Sequence, residues 1–198
     1  MERIIFATSN EGKMKEIREL LGDLEMEVYS LKELGIDVDI EENGISFEEN
    51  AMIKAKEIAK IVDGIVIADD SGLEVDALGK EPGIYSARYM GEDTSYNLKN
   101  GNILERLEGV CDEKRTARFV CAIACVMTDH EVITTQGTIE GRIGYEIMNG
   151  NGFGYDPIFY VPQFQKNLSQ LTLAEKNEIS HRGNALRELK TFLKNKYK

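Results

Sequence analysis

Ile65-Val66-Ile67-Ala68 is an apolar run that passes directly into Asp69-Asp70-Ser71-Gly72-Leu73. This pattern predicts a buried strand that stops at a tight turn bearing two carboxylates and a hydroxyl. Adjacent carboxylates repel, and a short loop keeps both ionised most easily when a divalent cation or cationic side chains lie beside them. A metal site answers that chemistry. A solvated turn, with Asp69 and Ser71 accepting from nearby backbone N–H groups, accounts for the same residues.

Five further segments carry candidate chemistry. Thr8-Ser9-Asn10-Glu11-Gly12-Lys13 places hydroxyls, an amide, a glycine and a lysine around a helix start. Unpaired N–H groups and the positive end of the helix dipole favour a phosphate there, although the run is not a Walker A loop and the same residues serve as an N-cap. Glu41-Glu42-Asn43-Gly44 precedes a second helix that contains Lys54. One carboxylate from that turn and one from Asp69-Asp70 would make up the one or two protein ligands Mg²⁺ usually takes, while a solvated acidic turn and an exposed lysine are the plainer alternative. Asn149-Gly150-Asn151-Gly152-Phe153-Gly154-Tyr155-Asp156-Pro157 offers the flat face of Phe153 to a purine, or else is a glycine-rich hairpin with Phe153 in the core. Lys176, His181 and Arg182 cluster near a helix start, with no partner carboxylate or oxyanion hole that would make Ser180 a nucleophile. Pro82 to Tyr89, with two tyrosines and Arg88, either lines a site or packs.

The elements that must position these groups alternate. A strand over Arg3 to Ala7 leads to a helix from Glu11 to Leu21, with Met14, Ile17, Leu20 and Leu21 on one face. Ser46 and Glu49 form a capping-box pattern for a helix to Val62, closed by Gly64, ahead of the Ile65 strand. Thr94 to Leu107 reads as a helix. Thr116 to Met127 and Glu131 to Ile139 read as long strands joined at Asp129-His130, and Gly183 to Lys196 reads as a closing helix. The expectation is an α/β protein with a mixed sheet and flanking helices, arranged as two lobes around a cleft.

The chain has 198 residues, 42% of them hydrophobic, which suits one domain. Its formal net charge of -11 argues against nucleic acid or an anionic membrane as the main partner. Cations for an anionic substrate must therefore be concentrated locally. Met1-Glu2-Arg3 followed by Ile4 to Ala7 is too short an apolar run for a signal peptide or a membrane span. Cys121 and Cys125 lie in the apolar run Phe119 to Met127 and read as small core residues. With Cys111 they make an odd count, as expected of reduced thiols in a cytoplasmic protein rather than a zinc site.

In order along nearly the whole chain, Thr8 to Lys13, Phe47-Glu48-Glu49-Asn50-Ala51, Ala68 to Leu73, Pro82 to Tyr89, Gly152 to Pro157 and Ser180-His181-Arg182 resemble the inosine triphosphate pyrophosphatase family. The resemblance implies a cytoplasmic, Mg²⁺-dependent homodimer that hydrolyses the non-standard purine triphosphates ITP, dITP and XTP to the monophosphate and pyrophosphate. It implies a single domain over residues 1–198, an elongated mixed β-sheet in two lobes around a central nucleotide cleft. Asp70 then falls on the catalytic acid-base position and, with Glu42, on the metal site. Glu41 is the alternative ligand if the turn is shifted by one residue. The substrate contacts so implied are Thr8, Ser9, Asn10, Glu11, Gly12, Lys13, Lys54, Ser71, Phe153, Gly154, Tyr155, Asp156, Lys176, His181 and Arg182. Small-molecule nucleotide and a second copy of the chain are the partners implied, with no nucleic acid and no membrane.

Overall fold

β1 (Arg3–Phe6) buries Ile4, Ile5 and Phe6 completely. A strand apolar on both faces belongs in the middle of a covered parallel sheet. The computed structural model, which describes residues 3–8, 10–150 and 152–197, places it there. β2 (Glu27–Ser30) and β3 (Ile65–Val75) flank β1 in parallel, with Ile4 opposite Val28 on one side and Ile65 on the other. α1 (Glu11–Leu21) connects β1 to β2, and α2 (Phe47–Ala59) precedes β3.

Capping fixes where these helices begin. The Asn10 side chain accepts from the Lys13 N–H at 3.1 Å, and Ser46 accepts from Glu49 N–H at 3.2 Å. Glu49 turns its carboxylate to the Ile45 N–H instead of back to Ser46, so the expected capping box is only half formed. α2 ends at Ala59, short of Val62.

β4 (Thr116–Val126) and β5 (Val132–Ile143) form a hairpin whose turn sets His130 at φ 67°, and β5 continues past the expected end at Ile139. β6 (Phe159–Val161) and β7 (Lys166–Asn167) add antiparallel. The result is a mixed sheet in the order β2-β1-β3-β4-β5-β6-β7, an α/β architecture with flanking helices. α3 (Tyr96–Arg106), α4 (Leu173–Ile179) and α5 (His181–Lys196) complete the framework. The sequence pattern does not single out α4, whose Thr172 and Glu175 cap each other reciprocally. α5 starts at His181 rather than Gly183, which puts His181 and Arg182 in its first turn.

One expectation is overturned. Asp69 to Leu73 is no turn: β3 runs through both aspartates to Val75, because each aspartate finds a charged or amide partner and Leu73 and Val75 are buried beyond them.

The chain divides into two compact units. The first comprises Met1–Asp70, Cys121–Gly137 and His181–Lys198, and the second Ser71–Val120 and Thr138–Ser180. The first has a core in which Ile65 and Ile67 of β3 meet Met14 and Ile17 of α1 and Leu186 and Leu189 of α5. The second is built around Leu73, Ile103, Phe119, Ile143, Phe159 and Leu168. Cys121 and Cys125 are buried, and burial pushes both thiols up to about 12, whereas Cys111 is exposed. Among the described residues no helix is long and apolar enough to cross a membrane.

Candidate functional site

Successive side chains of a strand point to opposite faces. Ile65, Ile67 and Asp69 therefore share the face of β3 covered by α1 and α5, and Asp70 faces α2. Asp69 is 1% exposed and is held by cations from both covering helices. Lys13 Nζ of α1 lies 2.9 Å from each of its carboxylate oxygens. Arg182 of α5 donates to Oδ2 from Nε at 3.2 Å and Nη2 at 3.1 Å, and donates from Nη1 to Glu16 of α1. Burial on its own would raise the Asp69 carboxyl, but Lys13, Arg182 and Lys54 together hold it well below the usual carboxylate range. Burial likewise opposes the charge on Arg182, and Asp69 and Glu16 outweigh it. α5 reaches β5 this closely because Gly137 has no side chain: a Cβ there would sit 2.2 Å from the His181 carbonyl oxygen.

On the opposite face, Asp70 meets α2. Asn50 is fully buried, donates to Asp70 Oδ2 at 3.1 Å, and accepts from the Gly44 N–H at 2.9 Å, which ties the Glu41-Glu42-Asn43-Gly44 turn to the aspartate. Lys54 Nζ stands 3.2 Å from Glu42 and 3.9 Å from Asp70. Burial pushes the Asp70 carboxyl up to about 6, Lys54 opposes this and Glu42 adds to it. Two carboxylates around one ammonium leave a net negative charge, and a hard divalent cation with water and phosphate oxygens completing its shell suits that donor pair. Among the described residues no group of three or more His, Cys, Asp or Glu side chains is placed to hold a metal. Glu42 and Lys54 line a cavity of about 570 Å³ together with Thr8, Lys32 and Asp37. Glu41 lines a different cavity, beside Ile53 and Ile61.

In the second unit the Phe153 to Asp156 loop is internally braced. The buried Asp156 carboxylate accepts from the Phe153 N–H at 2.9 Å and from Lys176 Nζ of α4 at 2.6 Å. Lys176 Nζ also lies 4.2 Å from the centroid of the Phe153 ring, a cation–π contact that loads one face of a half-buried ring. Tyr155 is buried, with its hydroxyl on the Ser86 carbonyl at 2.8 Å.

The structure thus brings Thr8, Lys54, Glu42 and Asp70 to one face of β3 in the first unit, and Lys13, Asp69 and Arg182 to the other. Asn10 caps α1 and Thr8 Oγ1 accepts from the Asn10 N–H at 3.1 Å. Glu11 and Gly12 form the first turn of α1, Ser71 follows Asp70 along β3, and His181 opens α5 as a buried residue. Ser9 lies outside the described residues. Asn50 and Glu16 are absent from the sequence-derived site. Their signal is a polar residue at a core position: Asn50 shares the buried face of α2 with Phe47, Ala51 and Ala55, and Glu16 is buried beside Ile17.

Known proteins match this chain over nearly its whole length. The dITP/XTP pyrophosphatase of Clostridium perfringens is 49% identical over 98% of both chains, and that of Bacillus subtilis 48% identical over 98% of both. The solved Ham1 protein of Staphylococcus aureus superposes with a TM-score of 0.87 at 44% identity, covering 98% of this chain and 100% of its own. The Ham1 family model matches residues 4–192, and the chain belongs to the Ham1 family.

Proposed function

We propose that this protein is a nucleoside-triphosphate pyrophosphatase that hydrolyses non-standard purine triphosphates, ITP, dITP and XTP, to the monophosphate and pyrophosphate. The observation that carries the reading is Lys54 held between Glu42 and Asp70 beside a cavity that also takes in Thr8. Full-length relatives named dITP/XTP pyrophosphatase support the substrate class.

Glu42 and Asp70 are assigned to a Mg²⁺ ion, which when bound supplies charge for phosphate oxygens and makes water more acidic. Lys54 and Lys13, with the N-terminus of α1, offset charge that develops on the departing pyrophosphate. Asp70 orients the attacking water toward the α-phosphorus and accepts its proton. A carboxylate beside a divalent cation is a weak proton acceptor, so Asp70 serves to position the water as much as to take its proton, and the ion would supply much of the water's acidity when bound. Asp69 holds Lys13 and Arg182 in place.

Base selection is assigned to Phe153 as a stacking face braced by Asp156 and Lys176, and His181 and Arg182 are assigned further substrate contacts. Hypoxanthine and xanthine carry a 6-oxo acceptor and an N1–H donor where adenine has an amino group and a bare N1. A protein donor aimed at O6 is left unpaired against adenine, at a cost of roughly 1–3 kcal/mol. Guanine shares O6 and N1–H, so its rejection acts at the 2-amino group.

One assay tests the reading: pyrophosphate release from ITP, XTP, GTP, ATP and pyrimidine triphosphates, with and without Mg²⁺, in H₂¹⁸O. The expected result is Mg²⁺-dependent turnover, kcat/KM for ITP and XTP well above GTP and ATP, and ¹⁸O on the monophosphate. Equal kcat/KM across the purines overturns the selectivity, and a trapped phospho-enzyme overturns direct attack by water.

A further inference from the structure

α3 presents two adjacent buried polar residues, Lys99 and Asn100, to two separate loops of the second unit. Lys99 Nζ donates to the Ala87 carbonyl and stands 4.9 Å from the Tyr96 ring centroid. Asn100 Nδ2 donates to the Gly154 carbonyl at 3.1 Å. A third bond ties the loops to each other, from the Tyr155 hydroxyl to the Ser86 carbonyl, and the Tyr155 ring meets Tyr96 edge-on at 5.3 Å. Ser86 in turn donates to the Gly83 carbonyl and accepts from Leu73 N–H of β3. The Pro82 to Tyr89 segment and the Phe153 to Asp156 loop are therefore fastened to one helix and one strand.

Asn100 is 2% exposed, and its Oδ1 accepts no hydrogen bond among the described residues. A leucine would fill the same space without burying an unpaired acceptor, so core packing alone does not favour an amide here. What the amide supplies is a donor for Gly154. That residue follows Phe153 directly and takes φ 65°, a left-handed conformation suited to glycine, so its carbonyl direction sets the path of the chain leaving the aromatic residue. With the Phe153 N–H fixed on Asp156, the backbone is held on both sides of the ring.

We propose that Asn100 is a positioning residue for the nucleotide base: through the Gly154 carbonyl it fixes the loop that presents Phe153. This rests on the assignment of Phe153 as the purine-stacking face. The role predicts a defect confined to the base. Loss of the bond weakens nucleotide binding and leaves phosphate binding intact, because the phosphate-side residues Lys13 and Lys54 belong to the other unit.

The test compares the parent protein with Asn100→Leu and Asn100→Asp in steady-state ITP hydrolysis, ITP binding by calorimetry, and inhibition by inorganic tripolyphosphate, which has no base. For Asn100→Leu, KM and Kd for ITP should rise about tenfold, kcat should stay within about threefold, and tripolyphosphate inhibition should be unchanged. Asn100→Asp keeps the volume should the leucine variant fail to fold. Its KM defect, relative to the parent, should grow with pH as the acid loses the proton that is its only donor to Gly154. Unchanged ITP affinity in a folded variant, or equal losses for ITP and tripolyphosphate, overturns the positioning role. A parent that neither binds nor hydrolyses ITP instead sinks the functional reading and this inference with it, whereas an active parent with indistinguishable variants sinks only the role of Asn100.

Discussion

Asp69 and Asp70 are neighbours in the chain and partners of different helices. Asp69 meets Lys13 at 2.9 Å and Arg182 at 3.1 Å on one face of β3, while Asp70 meets Asn50 at 3.1 Å and Lys54 at 3.9 Å on the other. The pleat directs the two carboxylates away from each other, so each has its own close partners, while Lys54 also lowers the Asp69 carboxyl and Lys13 that of Asp70. Asp69 lies between two cations, Lys13 and Arg182. Asp70 and Glu42 share Lys54.

The two carboxamide substitutions should therefore act in opposite directions. Asp69→Asn removes the carboxylate charge that faces both the buried Arg182 and Lys13, and urea titration should register a loss of about 3–5 kcal/mol. Asp70→Asn should fold at least as stably as the parent while turnover falls by orders of magnitude. Near-parental turnover in Asp70→Asn would refute its catalytic role.

Stability should carry the mark of Asp70 as pH changes. Its folded carboxyl titrates at about 6 against an ordinary value of 3.8, so between those values the native state holds a proton that the unfolded chain has released. Stability contributed by the neutral acid is then present below about pH 4 and lost as pH rises through 6, by roughly 2–3 kcal/mol. Measured in chelator, Asp70→Asn should gain on the parent by that amount between pH 4 and 6.5. Parallel curves for the two proteins would remove Asp70 as the titrating group.

Glu42 and Glu41 are separable by their Mg²⁺ dependence. Glu42→Gln should raise the Mg²⁺ concentration giving half-maximal turnover by about tenfold or more, since removing metal-site partners commonly costs 10–100-fold in affinity. Glu41→Gln should leave it unchanged. The reverse pattern would move the metal ligand by one residue.

The thiols differ in access. At pH 8 an aromatic disulfide reagent should label Cys111 in the native protein, and all three cysteines once the chain is denatured. Because burial keeps Cys121 and Cys125 neutral up to about 12, the unfolded state alone ionises above the usual thiol value. Stability should accordingly fall as pH rises past about 9. Rapid labelling of three thiols in the native protein would contradict the core placement.

Local patterning was enough to delimit most of this molecule. The apolar run of β1, the stripe on α1, the Ser46 cap and the alternation through β4 and β5 are written in neighbouring residues, because helix and strand periods and caps are short-range properties. The chemistry-bearing segments were legible for the same reason: glycines, carboxylates and cations in short runs identify themselves. The end of β3 was not. Two aspartates look like a turn until partners far away neutralise them, and Arg182 lies 113 residues from Asp69. Only the tertiary structure decided which face each aspartate takes, that Glu42 rather than Glu41 meets Lys54, and that Asn50, Glu16 and Asn100 are held inside the protein. A buried polar side chain is stable only with its partner, and the partner is chosen by packing between elements distant along the chain.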